Sequence, residues 1–202
     1  MSTHRLRLAA LLLAGCLPAV ALAQSVPPPA IQIAGAVSPL PDDLKDGAAV
    51  LGYGATGEDL ITLREGTNEM ICLADKPGDD RFQAACYARS LEPFMARGRE
   101  LAKEGKDRGA SRDIRRQEVE AGTLRMPDGP AALYQLFGQA DSFNTTTGEV
   151  TNVRPLYVMY MPFATTESTG LSAEQPMPGA PWLMDAGMPW AHIMYSPPQP
   201  GN

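Results

Sequence analysis

At 202 residues, 44% hydrophobic and 20% charged, the chain is long enough for one domain with its own core. Its 19 glycines and 19 prolines exceed average use but fall short of a disordered or collagen-like composition. A formal net charge of −6 excludes the basic footprint that non-specific nucleic-acid binding requires.

Residues 1–23 read as an export signal, with Arg5 and Arg7 before an apolar stretch and Ala21-Leu22-Ala23 as an A-x-A cleavage site. The stretch is too short, and too broken by Gly15 and Pro18, to span a bilayer. An alternative signal overlaps it. Leu13-Ala14-Gly15-Cys16 matches a bacterial lipobox, in which Cys16 is lipidated and tethers the protein to a membrane surface. Membrane contact is expected only in that case. Cleavage after Ala23 removes His4 and Cys16 with the signal. His192 is then the lone imidazole, and Cys72 and Cys86 are an even pair in a compartment where disulfides persist. A Cys72–Cys86 bridge is predicted. A redox pair is not, because the spacing is not Cys-x-x-Cys.

In chain order, residues 24–46 are proline-rich and read as a linker or arm. Residues 48–53 and 59–64 read as strands joined by the turn Gly54-Ala-Thr-Gly57, a hairpin. Residues 69–73 form a third strand, which ends at the acidic loop Asp75-Lys-Pro-Gly-Asp-Asp80. Helical spacing starts near Phe82 and is clearest at Leu91, Phe94, Met95 and Leu101, ending at Gly105. Residues 107–121 are charged throughout and read as a solvated helix. Residues 131–137 and 156–161 are apolar on both faces, as central strands are, with a polar turn between them. Residues 164–189 read as loop, 190–195 as a last strand, and 198–202 as a tail. The expected architecture is one α+β domain over 47–197, mainly an antiparallel sheet with one or two helices inserted mid-chain.

Gly52-Tyr-Gly54-Ala-Thr-Gly57 has G-x-G-x-x-G spacing, but two acids and a strand follow where a dinucleotide site needs a helix N-terminus. The hairpin reading is preferred, and no cofactor is expected. With one histidine and no Cys-x-x-Cys-His, two-His zinc sites, Cys/His clusters and covalent haem are excluded, and no metal is predicted. His192 shares a strand face with Trp190 and Met194, and Trp182 and Asp185 lie just upstream. A His192–Asp185 base-and-carboxylate pair beside two tryptophans is one reading. The other is a half-buried strand histidine with one hydrogen bond and no chemistry. Ser168, in Thr-Glu-Ser-Thr-Gly, lacks the first glycine and the strand of a nucleophile elbow. Asp75, Asp79 and Asp80 lack the spacing of a calcium loop. Asn144-Thr-Thr146 fits a glycosylation sequon, which counts for little if the host is bacterial, as the lipobox and signal suggest.

Leu63-Arg-Glu-Gly-Thr-Asn68 followed by Cys72 and Cys86, with the late Trp190-Ala-His-Ile-Met194, resembles a group of exported bacterial proteins of unknown function. The resemblance implies export and a shared architecture, and no ligand or catalytic residue. The expected function is an exported single-domain binding or accessory module whose partner is a small molecule or a protein. The alternatives are a small hydrolase-like enzyme or ligand site on His192, Asp185, Trp182 and Trp190, with Arg64 and Glu65, and a lipoprotein anchored through Cys16.

Overall fold

The computed structural model describes residues 26–198, so the segment expected to be an export signal, Cys16 and the last residues of the tail lie outside the described residues. The segment expected to be a linker is instead helical. Pro29 stands in the first turn of α1 (Pro29–Ala36), and Pro41 is the N-cap of α2 (Asp42–Lys45), positions where a missing N–H costs no hydrogen bond. Ala36, Val37 and Leu40 are buried, so these prolines start helices instead of spacing an arm. Gln32 fastens α1 to the sheet. Only 3% exposed, it donates through Nε2 to the Pro27 and Tyr53 carbonyls and accepts at Oε1 from the Tyr53 N–H.

Strands β1 (Ala49–Tyr53) and β2 (Leu60–Arg64) form the predicted antiparallel hairpin. Loop 65–69 then passes beneath the start of β1, so β3 (Met70–Leu73) rises on the far side of β1 and parallel to it. Gly66 makes the crossing, and a Cβ there would lie 2.6 Å from the Ala49 nitrogen. The region of expected helical spacing near Phe82 is strand β4 (Arg81–Ala88). Its burial alternates, with Phe82, Ala84 and Cys86 inward, and this period of two outweighs the helix preference of its alanines. Cys86 stands directly opposite Cys72 in the antiparallel β3–β4 pair, and the two are disulfide-bonded.

A 3₁₀ turn (Arg89–Leu91) leads into α3 (Glu92–Lys103) and α4 (Arg108–Glu120), the helices expected mid-chain. Asp107 caps α4 by accepting the Ala110 N–H at 2.9 Å. The chain returns as β5 (Ala131–Gln139), β6 (Arg154–Tyr160), the single turn α5 (Thr166–Thr169), β7 (Trp182–Met184) and β8 (His192–Tyr195). One eight-stranded sheet results, ordered β2-β1-β3-β4-β5-β6-β8-β7, with only β1 and β3 parallel. The fold is α+β.

Alternation divides the side chains between two faces. On one, Val50, Cys72 and Cys86 pack under α1 and α2, and Phe82 and Ala84 continue the layer against Phe143. On the other, Ile71, Tyr87 and Leu133 pack under Leu91 and Met95. Tyr87 ties α3 down: its hydroxyl donates to Glu92 and accepts from Arg99, which also pairs with Glu92 at 2.6 Å. Burial, with Glu92 beside it, holds the Tyr87 hydroxyl above its ordinary range, so it stays a donor. Helix α4 joins α3 through Arg97–Glu118 and through Arg115, whose guanidinium lies 4.2 Å over the Phe94 ring. Among the described residues, no helix is long and apolar enough to cross a membrane.

Candidate functional site

Of the predicted site residues, His192, Asp185, Trp182 and Trp190 gather where β6, β8 and β7 meet, on the face that carries α3 and α4. Strand pairing sets His192 between Tyr160 of β6 and Met184 of β7, and sets Met194 between Val158 and Trp182. Directly paired residues project to the same side, and so do residues two apart in a strand. The six side chains therefore form two rows of three: Tyr160, His192 and Met184, then Val158, Met194 and Trp182.

His192 is held in one orientation. Its Nδ1 lies 2.8 Å from the Trp190 carbonyl oxygen. A carbonyl only accepts, so Nδ1 donates to it, and among the described residues Nε2 makes no hydrogen bond. Tyr160 stacks against the imidazole with ring centroids 5.2 Å apart. Burial raises the Tyr160 hydroxyl above its ordinary value; Arg115 opposes this and Asp185 reinforces it, so the phenol stays neutral beside the ring.

Asp185 is brought close in the fold but is engaged elsewhere. One oxygen accepts from Arg112 at 2.5 Å and the other from the Trp190 indole N–H at 3.0 Å. Among the described residues no hydrogen bond joins Asp185 to His192. Trp190, 5% exposed, stacks on Phe94 at 5.9 Å and lies under the Arg112 guanidinium at 5.2 Å. Asp185 also has a positive φ of 55°, a conformation that Asp tolerates better than most residues.

Arg64 and Glu65 lie at the other edge of the sheet. Arg64 donates to the Ala48 and Lys45 carbonyls, and Glu65 is exposed in the loop after β2. Ser168 closes a capping box: its Oγ accepts from the Thr165 N–H, and its own N–H donates to Thr165 Oγ1.

Sequence reasoning missed two features. A cleft of about 1000 Å³ opens between the α4–β5 loop and the β6–α5 loop, lined by Arg125, Met126, Met161 and Phe163 among others. Phe163 is 55% exposed with a φ of 62°, held by donating its N–H to the Met188 carbonyl. Neither periodicity nor composition signals such a conformation. The second is Asp75, which accepts the Gln83 N–H at 2.8 Å. Burial pushes its carboxyl up to about 6 against that hydrogen bond, and Asp79 adds to the rise. The folded chain thus holds this proton more tightly than the unfolded chain does. Its contribution is complete below pH 3.8 and is lost as pH rises through about 6. Urea midpoints should therefore favour Asp75→Asn over the wild type progressively between pH 4 and pH 7. A constant difference across that range would show that the group does not titrate there.

Among the described residues, no three His, Cys, Asp or Glu side chains are grouped to hold a metal ion. No family model, curated protein or solved structure matches the chain.

Proposed function

We propose that the protein is an exported binding module that takes its ligand on the face built by β6, β8 and β7, through the free Nε2 of His192. The observation that carries this is the Nδ1–H to Trp190 carbonyl bond, which orients the ring and leaves Nε2 without a hydrogen-bond partner among the described residues. That is how an imidazole is prepared to hold a ligand. The hydrolase-like alternative needs a carboxylate behind the histidine, and the carboxylate in reach is engaged by Arg112 and Trp190. Export rests on the signal pattern and on the resemblance to exported bacterial proteins, and the Cys72–Cys86 bridge fits an oxidising compartment.

The test is a thermal-shift screen of the processed protein against metabolites, sugars, peptides and metal ions. A ligand at about 100 times its Kd adds roughly 2.7 kcal/mol of stability. The shift should disappear in His192→Gln, which keeps a polar side chain of similar size. An undiminished shift in that variant, or His192-dependent turnover of an ester or peptide, would reject the reading. Palmitate labelling that Cys16→Ser abolishes would replace cleavage after Ala23 with lipid anchoring.

A further inference from the structure

Resting on that reading of the face, we infer that its ligand is a soft monovalent metal ion, Cu(I), held by His192 Nε2 and the thioether sulfurs of Met184 and Met194. The exclusion of metal sites drawn from the sequence concerned His and Cys ligands. Thioethers are another class, and with imidazole they suit Cu(I) over the harder divalent ions.

The placement comes from register. Met184 stands directly across from His192 on β7, so their Cβ atoms are about 4.5–5.5 Å apart. Met194 follows two residues along β8 on the same face, roughly 7 Å away at the strand's rise per residue. A methionine side chain has three rotatable bonds and closes such gaps without backbone movement. One nitrogen and two sulfurs can thus meet over the space between the two rows.

The surroundings suit the ion. Tyr160 stacks on the imidazole, and Trp182 stands directly across from Met194 on the same face. An indole face attracts a cation and limits the approach of water. The backbone carbonyl that accepts the Nδ1 hydrogen bond orients the ring as outer-shell partners of metal-bound histidines do. Met184 is 37% exposed whereas His192, Met194 and Trp182 are partly buried, which leaves an entry path at the sheet edge. Among the described residues, both cysteines are joined and fully buried, so no thiol competes for the ion.

The experiment is an anaerobic competition titration of the processed protein with Cu(I) and a chromophoric Cu(I) chelator. The wild type should take one Cu(I) per chain. Met184→Leu and Met194→Leu, volume-conserving changes, should each weaken binding at least tenfold, and His192→Gln should do the same, with circular dichroism unchanged in all three. Met159→Leu lies on the opposite face of β6, paired with Ile193, and should bind as the wild type does. Trp182 fluorescence should fall on binding in the wild type and not in Met194→Leu. If Cu(I) affinity survives both Met→Leu changes but not His192→Gln, the thioether assignment is overturned while the His192 face stands. If the wild type takes no Cu(I), the metal assignment is overturned, and the His192-dependent thermal shift with other ligands judges the face separately. Equal affinity in all variants places the ion elsewhere and overturns the assignment.

Discussion

Trp190→Ala is expected to lower stability by about 3–5 kcal/mol, the largest single loss in this part of the fold. Three separate contacts converge on the side chain, which is only 5% exposed: the stack on Phe94 of α3, the Arg112 guanidinium of α4, and the Asp185 carboxylate. Truncation leaves a large cavity and removes one of the two donors that hold Asp185 at positive φ. Trp190→Phe separates the terms. It keeps an aromatic ring against Phe94 but has no N–H, so it should recover most of the packing and still lack about 1 kcal/mol. Urea unfolding of both variants checks this. A loss below about 1 kcal/mol for Trp190→Ala would mean that the helices and the C-terminal strands are held together by other contacts.

Replacing Cys72 and Cys86 together by alanine is expected to cost about 3 kcal/mol, the chain-entropy value for a loop of about 15 residues. The bridge joins directly opposed residues of β3 and β4, and both sulfurs lie in the layer under α1. Its loss should therefore loosen α1 as well as the hairpin, and early amide exchange in Pro29–Ala36 should accompany the lower urea midpoint. Reductant should shift the midpoint of the wild type and leave that of the double variant where it is. Equal midpoints for the two proteins without reductant would reject a stabilising role.

Strands and turns were legible wherever local pattern governed. Short apolar runs bounded by turn residues marked β1, β2, β5 and β6, and the parity of the remaining cysteines pointed to the bridge. Composition misled where it stood in for position. Prolines suggest an arm although Pro29 and Pro41 begin helices, and the apolar positions near Phe82 suggest a helix because the alternation Phe82, Ala84, Cys86 is carried partly by alanines. The site was half legible. His192, Trp182, Trp190 and Asp185 do share one region of the sheet, but Asp185 finds Arg112 across 73 positions of chain, which no local pattern announces. Strand β7 spans only three residues, too short for alternation to show inside a loop-like stretch. Met184 consequently went unnoticed as the residue facing His192.

The order β6-β8-β7 sets when that face can exist. From β3 to β6 each strand lies beside the one made before it, so the sheet can extend as the chain is delivered from its N-terminus. Strand β7 breaks the sequence, because among the described residues its one neighbour is β8, which is made after it. Trp182 and Met184 must wait unpaired until residues 192–195 arrive and insert between them and β6. A chain arrested before that point can close its Cys72–Cys86 hairpin and cover it with α1, yet it has no His192 row. The face thus waits on residues 192–195, and a chain stopped before them lacks it.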